Sequence, residues 1–345
     1  MQIDFHYCAI RVITEKAGFS AEDAQIIAYA SQYIDDAIDH EKMNVEGHLA
    51  ILSRRFSDKT FNPVCTAHKG LQFLKGLQSD VQNKIYIPFH FLPELETSSD
   101  YKVVQNCTLA KKLIIQALTE LSKSTGEQRI MNLVRLGITL HTYADSWAHQ
   151  NFSGLHEPKN NDIRDILILK NGKWEKIPII SQIEYNSLPA IGHAEAASYP
   201  DQSHLKWSYI KDSDSKVYQR DNTLLFMDAA ENIYNIFRGN KQEDIWTETK
   251  SKMFECFSFE AKSLDDKIKK FQRVFPEIGF YYDEEQWRNE ALHTVEQNRL
   301  FKARKEDSEF YVLGSDKKWF FFHFAALEQR EYIYKLIENK RYKNI

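Results

Sequence analysis

Apolar residues recur at helical spacing along most of this chain. In residues 20–38, Ala24, Ile27, Ile34 and Ala37 fall on one side, and Ser20 with Asp23 has the form of a capping box. Leu109, Leu113, Ala117 and Leu121 form a second stripe, which predicts a helix from about Val104 to Leu121. A third helix is predicted from near Gln128, through Ile130, Leu133, Leu136, Leu140 and Tyr143, to about His149. The same periodicity returns at roughly 221–238, 242–257, 262–273, 284–304 and 318–340. One segment breaks the pattern. Asn171-Gly172 separates Ile166-Leu167-Ile168-Leu169 from Trp174-Glu175-Lys176-Ile177, and Asn-Gly supplies the positive φ angles of a tight hairpin turn. The expectation is an all-α multi-helix bundle with a small β-hairpin insertion. It would form a single domain over 1–345, with the chemistry in its first 200 residues or so and 208–345 as packing helices.

Composition supports this picture. Glycine and proline are scarce at 12 and 8, which disfavours a sandwich or barrel built from many tight turns. A sizeable core can be filled by 22 Phe, 17 Tyr and 6 Trp. The net charge of −4 argues against stable binding to duplex DNA, while a small phosphodiester met at metal ions stays compatible. No stretch approaches the roughly 20 apolar residues that span a bilayer. The start, Met1-Gln2-Ile3-Asp4-Phe5-His6, lacks the basic and apolar regions of a secretory signal. Cys8, Cys65, Cys107 and Cys256 form no CxxC pair, so a disulfide framework is not suggested. These features read as a cytoplasmic protein; a trimmed mature form or a secreted effector would also fit. Nothing in the sequence sets the oligomeric state.

Candidate chemistry concentrates in Leu140-His141-Thr142-Tyr143-Ala144-Asp145-Ser146-Trp147-Ala148-His149. At about 100° per residue, the H-x3-D-x3-H positions lie on one helix face. Imidazole and carboxylate suit zinc, and this spacing lets neighbouring side chains share or bridge ions. Two surface histidines beside an aspartate would be the ordinary alternative. The apolar neighbours Leu140, Tyr143 and Ala144 make these groups partly buried, and buried polar groups need partners. Further candidates are His6, which follows Asp4 at the head of an apolar helix, and Asp35 or Asp36 at the end of the second. Adjacent helix residues diverge by about 100°, so one of the pair faces any shared site. His68, His90 between Phe89 and Phe91, and His193 after Gly192 complete the set, with Glu195 and Asp201 nearby. Taken singly, each has a bland structural explanation; their sum with the H-x3-D-x3-H helix points to a cluster. His40, His48, His156, His204, His293 and His323 have no comparable context.

In this order the residues resemble the zinc-dependent phospholipase C and single-strand nuclease superfamily, all-helical proteins that hold three zinc ions with His and Asp. His6, Asp35 and His90 are similar to its N-terminal histidine, early aspartate and loop histidine. His141 and Asp145 resemble its HxxxD, whose aspartate bridges two zincs, and His149 and His193 its two later histidines. The phrases DFHY, YASQYIDD, PFHFLP, HTYADSWAHQ and GHAEAASYPD look like a bacterial branch of the superfamily with no assigned activity, over roughly residues 4–207. Departures are visible. The family opens on a tryptophan whose amine and carbonyl cap one zinc; here the chain opens on Met1, and Asp4 is the candidate substitute. The aspartate-to-histidine spacing is four where the family has six. Ala197 stands where the family has an acid, leaving Glu195 or, after the turn-forming Pro200, Asp201. The resemblance implies two or three zinc ions and hydrolysis of a phosphoester, either lipid or single-stranded nucleic acid. Asp145 would bridge metals, Asp35 or Asp36 would act as base, and Phe89, Phe91, Trp147 or Phe152 would line the substrate. A metal-stapled, non-catalytic interaction or effector protein is the rival reading. A helical phosphohydrolase of the HD type would need an adjacent His-Asp pair, and Asp39-His40 is reversed.

Overall fold

The computed structural model of the chain describes residues 1–46, 60–68, 77–95, 100–178, 181, 184, 188–239, 245–294 and 310–343. π-Helical turns at Asp4–Ala9 run directly into α1 (Ile10–Lys16). α2 (Ala21–Asp36) starts where Ser20 Oγ accepts from the Asp23 amide at 3.1 Å. After strands β1 (Met43–Glu46) and β2 (Thr60–Phe61), a short helix α3 (Ser79–Val81) continues as π-helical turns over Gln82–His90. α4 (Thr108–Leu121) and α5 (Gly126–Ala148) follow; every residue of α5 from Leu136 to Ala148 is buried. α5 is the central rod. Against it lie α2, α4, α7 (Asn222–Arg238) and the C-terminal helix α11 (Lys318–Lys343), after a single turn α6 at Pro158–Asn161.

α2 and α5 approach closely at one glycine. A Cβ on Gly137 of α5 would meet Ile27 O at 2.3 Å and Ala30 Cβ at 2.7 Å, both on α2. Only glycine lets the two backbones come this near. One turn further on, the ring of His141 reaches the Ser31 carbonyl on α2.

An all-α bundle is not what forms. Helix accounts for 57% and strand for 13%, in two four-stranded sheets among the described residues, so the architecture is mixed. The predicted hairpin is there: β3 (Ile163–Lys170) and β4 (Lys173–Lys176) close on Asn171 and Gly172, with φ of 48° and 76°. It is half of an antiparallel sheet in the order β4-β3-β5-β6, completed by β5 (Lys206–Lys211) and β6 (Val217–Asp221). Trp207, Tyr209 and Lys211 on β5 are buried, and so is Ser208 between the first two, because the sheet is covered on both faces there. The second sheet joins distant stretches. Beyond α8 (Ile245–Phe257), α9 (Leu264–Val274) and α10 (Gln286–Ala291) come β7 (Leu292–Thr294) and β8 (Phe310–Leu313). The order is β2-β1-β8-β7, with β1 and β8 parallel. The helix expected over 284–304 therefore ends at Ala291; its remainder from 295, and 242–244 of another expected helix, lie outside the described residues.

The larger core lies among the helices; a smaller one lies between the β3–β6 sheet and the loops at the end of α5. Trp207 and Tyr209 stack at 5.0 Å, and Tyr209 stacks on Phe152 at 5.7 Å. Each such buried ring contributes about 1.5–3 kcal/mol through the apolar area it removes from water. The sheet also finishes α5. Arg220 on β6 donates to the Ala148 and Gln150 carbonyls at 2.6 and 2.5 Å, a cation at a helix C-terminus. Among the described residues no helix is long and apolar enough to cross a membrane.

Candidate metal centre

Asp145 is the hub. It is buried near the end of α5, with partners on both of its oxygens. Oδ1 faces the Met1 α-amine at 2.6 Å and His6 Nε2 at 3.1 Å; Oδ2 faces His90 Nδ1 and His141 Nε2, each at 3.3 Å. His6 and His90 both come from π-helical turns, whose wider register turns side chains away from where an α-helix would send them. His149 sits one position past the helix, at φ −95°, and its amide still bonds the Asp145 carbonyl.

Four histidines are oriented from behind by backbone carbonyls. His141 Nδ1–H donates to Ser31 O at 2.8 Å and His90 Nε2–H to Thr66 O at 2.9 Å. His149 Nδ1–H donates to His90 O at 2.7 Å, and His193 Nδ1–H to Ala197 O at 2.8 Å. With one nitrogen committed as donor, a neutral ring presents a lone pair on the other. These lone pairs converge. His90 Nδ1 and His141 Nε2 stand 3.2 Å apart, and Asp35 Oδ1 is 3.9 and 3.7 Å from them. On the other side, Asp201 Oδ1 faces His149 Nε2 at 3.0 Å and Asp201 Oδ2 faces His193 Nε2 at 3.3 Å. The Met1 amine is also 3.0 Å from Asp201.

The electrostatics follow from this crowding. Burial would raise the Asp145 carboxyl, but His149, the Met1 amine, His141 and His6 outweigh it and hold it well below its usual range. Asp201 is likewise held low against burial by the amine, His193 and His149. Burial pulls His6 far down, helped by His141 and the amine, and takes His193 to about 4 against the pull of Asp201. His90 moves up because Asp145 and Asp35 outweigh its burial.

Among the described residues, three groups have ligand atoms within 4.8 Å of one another: His6, His141 and Asp145; Asp35, His90 and His141; His149, His193 and Asp201. The donor chemistry fits zinc. Four ligands at about 2.0–2.1 Å from a tetrahedral ion lie about 3.3 Å from each other, close to the spacings among Asp145, His90 and His141. His6 is fully buried; its Nε2 lies 3.1 Å from Asp145 Oδ1, and its Nδ1 has no hydrogen bond among the described residues. A buried ring nitrogen left so needs a partner.

The other candidates face elsewhere. Asp36 points away from the cluster and accepts from the Tyr282 hydroxyl and from Gln32 at 3.2 Å, so Asp35 is the member of the pair that faces His90 and His141. Asp4 is not at the cluster; it pairs with Lys267 at 2.8 Å and accepts from Ser203 Oγ at 2.6 Å. Glu195 accepts from the Ile163 amide at 2.9 Å, and burial raises its carboxyl to about 7. His68 is outside the three groups but lines a cavity of about 210 Å³ over them, with Asp35, Tyr86, His90, His149 and Asp201. Of the aromatic candidates, Phe91 lines this cavity, while Phe89, Trp147 and Phe152 are wholly buried in the cores. Sequence reasoning missed the Met1 amine and the carbonyls of Ser31, Thr66 and Ala197. No side-chain pattern marks a carbonyl.

Fold and centre together define a mixed helix–sheet protein with buried, convergent His/Asp groups. Residues 1–337 match the model of the family described as "Family of unknown function (DUF6765)", and the chain belongs to that family. No curated protein and no solved structure matches it.

Proposed function

We propose that this chain is a zinc-dependent phosphoester hydrolase with a multinuclear site, in keeping with its resemblance to the phospholipase C and single-strand nuclease superfamily. The observation that carries the reading is the buried carboxylate of Asp145, approached by histidines on both oxygens and flanked by the cavity. Asp35, His90, His141 and Asp145 would hold one ion, and His149, His193 and Asp201 another. His6 with Asp145 offers a further position; His141, whose Nε2 is its one free nitrogen, would serve that ion or the first, not both. When bound, zinc supplies Lewis acidity toward phosphoryl oxygens and acidifies a water molecule.

The protein's own groups do the rest. The four carbonyls hold the imidazoles in one tautomer, so no ring turns when a ligand enters. Asp35 has a side chain 30% exposed and lines the cavity, which suits it to accept the proton of an attacking water. Water adds to phosphorus as the bond to the leaving oxygen breaks, and a proton ends on that oxygen. His68, at the cavity wall, can orient the phosphoryl group. The rival, a metal-stapled scaffold, is favoured by one feature: Asp35, His90, His141 and Asp145 supply four protein ligands, as closed structural sites do. The His149 group supplies three side chains, which suits an open site.

Zinc-loaded protein should hydrolyse bis(4-nitrophenyl) phosphate, and His193→Ala should lower kcat/KM at least 100-fold with the protein still folded. Parallel assays on phospholipid and single-stranded nucleic acid would sort substrates. No turnover of any phosphoester at full zinc occupancy would favour the scaffold.

A further inference from the structure

The cavity over the metal centre adjoins a second one. A pocket of about 270 Å³ shares Tyr86, Phe91 and His193 with it. The other side chains of this pocket, Leu188, Ile191, Ala194 and Ala197, are hydrocarbon. Phe91 is the partition. Its ring stacks on His149 with centroids 4.6 Å apart and lies 5.8 Å from His193. Two glycines seat it: a Cβ on Gly192 would fall 2.4 Å from Phe91 Cζ, and one on Gly154 would fall 2.9 Å from Phe91 Cβ. Gly192 also holds φ at +56°, which suits glycine. A wall fixed this closely keeps the two spaces adjacent and distinct in polarity.

Water against a mostly hydrocarbon lining has few hydrogen-bond partners, so its replacement by an apolar group is favourable. A nucleobase would need several partners for its polar edge, and apart from Tyr86 and His193 at the shared wall the side chains of the pocket offer none. We propose that this pocket is the subsite for an apolar organic group on the substrate. The substrate is then a phosphoester whose phosphate meets His149, His193 and Asp201 while a hydrocarbon or aryl substituent passes Phe91 into the pocket. This rests on the phosphoester reading and narrows it.

Calorimetric titration of zinc-loaded protein with n-alkylphosphonates of one to eight carbons, and with matching n-alcohols, tests it without turnover. Kd should fall about fourfold per methylene until the pocket is full, from about 0.8 kcal/mol per buried CH₂. Ala194→Phe should flatten the series while bound zinc, measured by elemental analysis, stays unchanged. A Kd constant from methyl- to octylphosphonate in the wild type would overturn the subsite, whatever the variant does. Equal affinity for hexylphosphonate and hexanol would instead overturn the phosphoester reading beneath it.

Discussion

Asp145→Ala should reduce bound zinc to at most one ion per chain and destabilise the protein by about 3–5 kcal/mol, the usual loss when one partner of a buried charge pair is removed. The carboxylate is 1% exposed and faces the Met1 amine, His6, His90 and His141. Without it, a buried amine is left with Asp201 at 3.0 Å, and three imidazoles lose the anion they share. Asp145→Asn is the informative companion. It keeps the volume of the side chain and one acceptor, so packing survives while the bridging charge is gone. Zinc content by elemental analysis should fall in both variants, and chemical denaturation should show the alanine variant the weaker. Wild-type zinc content in Asp145→Asn would mean that this residue does not bridge ions.

The second large effect lies away from the centre. Lys267→Met should cost about 3–5 kcal/mol, because it strands Asp4 as an uncompensated buried carboxylate. Their side chains are 7% and 2% exposed, and the Lys267 ammonium also donates to Gln2 at 2.7 Å. This ion pair ties α9 to the segment that delivers His6. Asp4→Leu combined with Lys267→Met should recover most of the loss, since a buried ion pair replaced whole by apolar side chains is often near neutral. Denaturant unfolding of the two single variants and the double variant measures the coupling. Additive losses in the double variant would show that the pair is not coupled.

How much of this was legible in the sequence depends on the range over which each feature is decided. The H-x3-D-x3-H helix is local: spacing alone puts His141 and Asp145 on one face. The Ser20 cap and the Asn171-Gly172 turn are local too, and both occur as their residues dictate. The choice between Asp35 and Asp36 is set by how α2 meets α5 at Gly137, a close approach that hydrophobic periodicity does not reveal. Asp4 was the expected stand-in for a missing ligand, but the π-helical register sends it toward Lys267 and His6 toward Asp145. The sheets were least legible. β1 pairs with β8 across more than 260 positions through strands of four residues each, too short for a period of two to stand out. Leu292–Thr294 continues an apparent helical stripe, yet pairs with β8 once that strand lies beside it.

The most direct test is an anomalous difference map recorded at the zinc edge from crystals grown with zinc. Two or three peaks are expected around Asp145, each about 2.0–2.2 Å from imidazole nitrogens and carboxylate oxygens of the His6, His90 and His149 groups. A well-ordered, folded protein with no peak between those side chains would contradict the proposed metal centre.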